Sequence, residues 1–527
     1  MNLSPPLSNL RPRLRPPHPA WLVAGGTLFV VAVYIGLASR QCRPGFPLDD
    51  AWIHQTYARN LIRSGRWEFV PGVVSTGSTA PLWTLLVAVG YALRLPYLLW
   101  VYLLGVLSLW LTTAAAMRLW HQLWPGRAER DWLVGLALVF TWPLVWAAAS
   151  GMETLLFAAL SLSILALFYE RTHTPAGIKA SFRVSASMGL LAGLLILTRP
   201  DGLVLVLLIA TAMLLQPRPW RTRAGAAVVY AAAVALPLLP YFAFNLWTSG
   251  HIWPNTFYAK QAEYSALLLE PFLTRLARLL YFSLGGPPAG WRGISGAHLL
   301  LVPGVVMAAL LALQDDWSRR RLWKLLPLLW AGGHIWLYAW RLPVTYQHGR
   351  YLLAALPIWV VFGLEGWHDL LAHAGAGQAA RLGRTAAGFT FALMLVIFWL
   401  LGANAYADDV AFVEGEMVTV AHWLAQNTPA DALIAAHDIG AIGYFAERPL
   451  LDLAGLVSPD VASLLGDEAA LNKYILASDA HYLVTAPGWP YAAAVQNDAV
   501  TLEFTTSYAW TQEQGLNNMT VYRLAAP

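Results

Sequence analysis

Charge is scarce in this chain: of 527 residues, 12% are Asp, Glu, Lys or Arg, while 58% are hydrophobic. A soluble domain carries about 25% charged residues. Half that level does not cover a water-facing exterior, so much of the surface must face lipid. Cysteine is nearly missing as well. The single Cys42 excludes an internal disulfide and any cysteine-rich metal site. No internal repeat, no disorder-prone composition and no nucleotide-binding motif stands out. The net charge of +5 does not point to nucleic acid, because the basic residues lie between apolar runs, where membrane topology puts them.

What is present in quantity is apolar sequence, with a mean hydropathy of +0.52. Residues 21–39 carry no charge and are long enough to cross a bilayer. No small-residue cleavage site precedes Arg40, so the segment reads as an uncleaved signal-anchor. Arg11, Arg13 and Arg15 before it place residues 1–20 in the cytoplasm. Further apolar runs fall at 81–117, 132–148, 151–169, 184–198, 202–216, 225–247, 298–313, 325–340, 351–367 and 386–403. Arginine and lysine cluster in alternate connections, around 118–130, 171–183, 218–223, 319–324 and 381–384, which the positive-inside rule assigns to the cytoplasm. The parity works with eleven crossings, or thirteen. Arg94, Leu95 and Pro96 break the run 81–117, so its first part is a candidate re-entrant segment. In either count the C-terminus lies outside.

The tail from about 403 onward changes character, with acidic and amide residues and no long apolar run. Residues 408–427 predict an amphipathic helix stopped at Thr428-Pro429. Short strands are expected at 432–436, 481–485 and 520–524, giving a small α/β domain. The domain plan is therefore a cytoplasmic tail (1–20), an all-α polytopic membrane domain (21–403) and an extracytoplasmic α/β domain (404–527).

The loops assigned to the outside hold the chemistry. Loop 40–80 is too long for a connector and opens a helical pattern at Asp49 and Asp50, with Trp52, Ile53, Tyr57, Leu61 and Ile62 at amphipathic spacing. Such a helix would lie on the membrane surface. An N-cap and a first-turn acid account for two aspartates at a helix start. Adjacent helical positions point about 100° apart, however, so these two roles leave room for one side chain facing inward. Glu153 and the pair Arg199 and Asp201 put charge into very short breaks between apolar runs, where ionisable groups are costly and mark functional cavities. A local Arg199–Asp201 salt bridge closing the turn is an equal reading; Glu153 shows no local partner. Trp253 and Tyr351 fit an interfacial aromatic belt. Lys260, Arg341 and Arg350 are cations on the side the charge rule disfavours, suited to a lipid phosphate.

These segments resemble the GT-C superfamily of polyprenyl-phosphate-dependent membrane glycosyltransferases. More closely, residues 48–60 with 77–83, then 150–157, 198–202, 253–260 and 438–444 are similar to terminal arabinofuranosyltransferase-like bacterial proteins. The resemblance implies a sugar transferase, hexosyl or pentosyl, at the outer face of the bacterial cytoplasmic membrane. It implies a polyprenyl-phosphate sugar donor and an envelope glycan, lipid or protein acceptor. Asp49 or Asp50 would be the general base of an inverting displacement. His54, Glu153, Arg199, Asp201, Lys260, Tyr346, His348 and Arg350 would bind substrate, with cations neutralising the leaving phosphate. No cofactor is required, although Asp49, Asp50 and Glu153 could hold Mg²⁺ or Mn²⁺. Two readings from other classes are a flippase or transporter of lipid-linked sugars and a membrane-anchored glycan-binding or sensory protein. The first would carry inverted repeats and mid-membrane charges, which are not seen.

Overall fold

The computed structural model describes residues 19–173, 178–285, 297–318, 323–373, 375, 377–498 and 500–525. The arginines of the N-terminal tail and Arg319, Arg320 and Arg321 lie outside the described residues.

Apolar runs become helices, as their length and composition require. Eight described helices are long and apolar enough to cross a membrane, and a ninth span is formed if 131–149, bent by 60°, is taken as one. The chain is a multi-pass membrane protein. The eleven expected crossings exceed these nine because two of the apolar runs fold into shorter helices, Leu203–Leu214 and Leu326–Arg341. The break at 94–96 is real: Pro81–Ala92 and Tyr97–Leu123 are separate helices, and Arg94 adopts a positive φ of 57°. The expected external stretch 248–297 carries two helices of its own, Asn255–Glu263 and Phe272–Gly285.

The helix beginning at Asp50 (Asp50–Ser64) does not lie on a surface. Residues 51–60 are buried on every side, between Pro81–Ala92 and residues of the C-terminal region. Its amphipathic pattern underestimates burial because the polar face is covered too: Gln55 accepts from Tyr91 Oη (2.7 Å), and Asn60 donates to the carbonyls of Glu68 and Phe69.

The last span and the helix expected at 408–427 are one continuous rod. Gln378–Phe412 passes through a π-helical turn, Val413–Val418, into Thr419–Asn427. The boundary expected at 403/404 therefore falls inside a helix. The π turn presents two buried glutamates. Glu414 receives Arg43 from the loop after the first span, and Glu416 accepts from Thr511 Oγ1, Asn518 Nδ2 and the Met519 amide.

Beyond Asn427 a five-stranded sheet forms in the order β2-β1-β3-β5-β4, with β1 Ile434–Ala436, β2 Leu450–Asp452, β3 Tyr482–Thr485, β4 Val500–Thr505 and β5 Thr520–Leu524. β1 pairs in parallel with β2 and β3, and β5 runs antiparallel to β3 and β4. Strand alternation splits the sheet between two cores. Ile434, Ala436, Tyr482 and Val484 join the main core shared with the membrane helices. Ala435 and Leu483 face the other way, onto Leu471 and Ile475 of the helix Glu468–Ala477.

Candidate active site

The short polar motifs lock to one another. Trp83 donates from Nε1 to the Gly151 carbonyl (2.8 Å), and the Gly77 amide donates to Tyr57 Oη (2.9 Å). Thr256 Oγ1 donates to the Gly77 carbonyl (2.5 Å), and the Asn255 amide to that of Thr76 (3.1 Å). Gly151 sits at φ +78°, a left-handed turn, with Phe46 and Ala51 against it where a side chain would stand. The breaks at 75–80, 150–153 and 253–256 thus form one rim.

Within that rim is a cavity of about 370 Å³. Seven of the ten expected site residues line it: Asp50, His54, Glu153, Arg199, Asp201, Lys260 and Arg350. Apolar side chains such as Leu207, Phe257 and Leu337 form part of the wall, and Leu456 of the C-terminal region closes another part.

Charge is arranged in two linked groups. Arg350 Nη2 donates to Asp50 Oδ2 and to Tyr351 Oη (3.0 Å), while its Nε and Nη1 are buried with no acceptor among the described residues. Lys260 carries an ion pair to Glu263 at 3.5 Å. Burial alone would raise the Asp50 pKa, but Arg350 and Lys260 outweigh it and hold the carboxylate below its usual range. The Lys260 ammonium is raised in turn: Asp50 and Glu263 overcome its burial.

The second group joins two helix breaks. Arg199 donates to Glu153 Oε1 (2.8 Å), to Asp201 (3.2 Å) and to Tyr338 Oη (2.7 Å). The local Arg199–Asp201 bridge is therefore present, and Glu153 gains a partner that lies 46 residues away. Glu153 Oε2 is buried without a hydrogen bond, 3.7 Å from His54 Nε2. His54 Nδ1 meets Thr84 Oγ1 at 2.9 Å, and burial lowers its pKa.

Three expected residues stand elsewhere. Asp49 occupies the N-cap position of its own helix but makes no cap bond there. Its Oδ2 and Oδ1 accept instead from the amides of Gly440 (2.6 Å) and Ala441 (2.8 Å) in the C-terminal region. Tyr346 stands in a second row, 3.3 Å from Tyr351 Oη and packed on Tyr264. His348 bonds Asp409 at 2.7 Å between the rings of Trp142 and Trp146.

The three carboxylates proposed for a divalent cation do not converge. Asp49 is engaged by amides, Asp50 by Arg350 and Glu153 by Arg199. No group of three His, Cys, Asp or Glu among the described residues is placed to hold a metal ion. Sequence reasoning missed Tyr338, which sits in an apolar run with no local signal, and Glu263, which lies just past the quoted segment.

A family model described as a domain of unknown function (DUF8728) matches residues 405–522. Comparison with curated protein sequences yields no match. Among solved structures, ArnT from Cupriavidus metallidurans bound to undecaprenyl phosphate is similar over 96% of this chain and 99% of its own, with TM-score 0.59 and 15% identity. An Archaeoglobus fulgidus oligosaccharyltransferase, in complex with Zn and sulfate, is similar over 90% of this chain and 70% of its own, with TM-score 0.61 and 13% identity. The arabinofuranosyltransferase AftD from Mycobacteria covers 95% of this chain and 40% of its own, with 14% identity. Its TM-score is 0.45. The chain shares the fold of the first two structures, and consists of a polytopic helical domain followed by a C-terminal α/β domain.

Proposed function

We propose that this chain is a membrane glycosyltransferase that takes a sugar from a polyprenyl-phosphate donor. The observation that carries the reading is Arg350. A buried guanidinium that gives one nitrogen to Asp50 and keeps two others without acceptors, on a cavity wall, suits an anionic ligand. A leaving phosphate there would also meet Lys260 and Arg199, while the apolar wall at Leu207 and Leu337 suits a lipid chain. The fold likeness to ArnT with bound undecaprenyl phosphate agrees with this.

Asp50, rather than Asp49, is assigned as base, since only Asp50 lines the cavity. The acceptor hydroxyl attacks the anomeric carbon as the bond to the phosphate oxygen breaks, and its proton passes to Asp50. The phosphate leaves with the bonding electron pair, stabilised by the cations. A carboxylate held by Arg350 is a weak base. It suffices where the hydroxyl loses its proton late, as positive charge on the sugar draws in the attacking oxygen. One direct displacement inverts the anomeric centre. The positive-inside pattern supports a cytoplasmic N-terminus, with the cavity and the domain 404–527 on the outer face of a bacterial inner membrane. Envelope glycan, lipid and protein all suit as acceptor.

The test is complementation. A host lacking this chain is given wild type or Asp50→Asn, with matched membrane levels, and its envelope glycans are profiled. Asp50→Asn should lower transfer by about 10²- to 10⁴-fold. Full restoration by the variant would remove Asp50 from the mechanism, and an unchanged profile on loss of the wild-type chain would remove the reading itself.

A further inference from the structure

The C-terminal region, matched over residues 405–522 by a family model described as a domain of unknown function, places Leu456 on the cavity wall and touches residues behind that wall through one short segment, residues 437–441. Asp49 accepts the amides of Gly440 and Ala441, both buried, at the start of a helical turn. Two backbone donors on the two oxygens of one carboxyl group fix its direction. The contact is close: a Cβ on Gly440 would collide with the Asp49 carbonyl oxygen, so only glycine fits. One peptide bond on, Asp50 faces the cavity. The same segment reaches the opposite wall. His437 Nε2 lies 3.5 Å from Glu263 Oε1, and Glu263 Oε2 lies 3.5 Å from Lys260 Nζ. His437 is itself fixed by Tyr491, with Nδ1 2.7 Å from the hydroxyl, and by the Trp489 ring.

We propose that residues 437–441 are a positioning element of the active site, orienting Asp50 through Asp49 and Lys260 through Glu263. On this view the domain of unknown function completes the catalytic centre: it holds the base and a phosphate-facing cation in register from outside the cavity. The roles of Asp50 and Lys260 rest on the glycosyltransferase reading. The two contacts make separable predictions, because Asp49 acts on the reacting proton and Glu263 on the leaving phosphate.

The full chain in lipid nanodiscs provides the test. Gly440→Ala, assayed below its thermal midpoint at the same folded fraction as wild type, should lower kcat about 10- to 100-fold while leaving donor KM unchanged, as a misplaced catalytic group does. His437→Gln and Glu263→Gln should instead weaken binding of undecaprenyl phosphate by about fivefold or more. Wild-type kcat in the first and wild-type affinity in the other two would overturn the proposal. Should Gly440→Ala fail to fold, Asp49→Asn replaces it, with amide hydrogen exchange at 440 and 441 as the readout. Exchange at least about tenfold faster is expected once one of the two acceptor oxygens is replaced by an NH₂ donor, and unchanged exchange overturns the Asp49 contact. If wild type neither transfers sugar nor binds undecaprenyl phosphate, the glycosyltransferase reading has failed, whereas the exchange result still decides whether Asp49 holds the domain.

Discussion

Arg199 donates to Glu153 across 2.8 Å, and that one bond joins two breaks in the helical bundle that lie 46 residues apart in the chain. Both side chains are withdrawn from solvent, at 12% and 3% exposure. Asp201 completes the group, so two carboxylates share one cation.

That sharing predicts an asymmetry in stability. Arg199→Ala leaves Glu153 and Asp201 buried together without a cation and should cost about 3–5 kcal/mol. Glu153→Gln keeps the Arg199–Asp201 pair and should cost about 1–3 kcal/mol. Thermal and denaturant unfolding in detergent compares the two. Equal losses would mean that the network does not behave as one unit.

Arg350 should not tolerate lysine. One ammonium cannot hold Asp50 and Tyr351 and still present a planar fork to a phosphate. Arg350→Lys is expected to weaken undecaprenyl phosphate binding about tenfold, followed by tryptophan fluorescence, since Trp253 lines the cavity. Undiminished affinity would place the phosphate elsewhere.

Glycines at helix contacts should differ sharply from exposed ones. A Cβ on Gly366 would meet the Gly304 carbonyl where the helices Val302–Ser318 and Leu356–His373 touch. Gly366→Ala should therefore cost about 1–3 kcal/mol through forced separation. Gly388 has no atom within reach of a Cβ, and Gly388→Ala should be neutral or stabilising by up to about 1 kcal/mol. Unfolding midpoints that rank the pair the other way would contradict the packing.

Asp49 gives a pH signature. Burial first and Asp438 second push its pKa up, two backbone amides pull it down, and it settles at about 8 against an ordinary 3.8. The folded protein thus binds this proton more tightly than the unfolded chain. Between those two values stability should fall as pH rises, with no contribution to the slope outside the window. Subtracting the pH dependence of unfolding for Asp49→Asn from that of wild type isolates the effect. A difference curve that is flat, or that rises with pH, would overturn it.

Much of this was legible in the sequence for simple reasons. Long uncharged runs have few folded options, and charges such as Glu153 and Arg199 in short breaks are too costly to be incidental. Strand positions at 434, 482 and 520 followed from apolar stretches between turn residues, while β2 and β4 were missed: β2 has three residues, and β4 is largely exposed and lacks a buried stripe. Other features had no local signature. The covered polar face of the Asp50–Ser64 helix depends on Tyr91 and on a domain almost 400 residues away, where Arg59 donates to the Tyr444 carbonyl, and the partners of Asp49 are backbone amides, which no side-chain pattern marks. Tyr338 reads as one more aromatic in an apolar helix until folding sets it beside Asp201.

The uninterrupted helical stretch from Gln378 to Asn427 has a mechanical consequence. At about 1.5 Å per residue it is a strut of roughly 75 Å with one end in the bilayer. A change in tilt of about 5° at the membrane end displaces the far end by roughly 6 Å, more than the length of one helical turn. Bilayer thickness, which sets the tilt of a long span, would thereby act on the C-terminal domain to which this helix is joined.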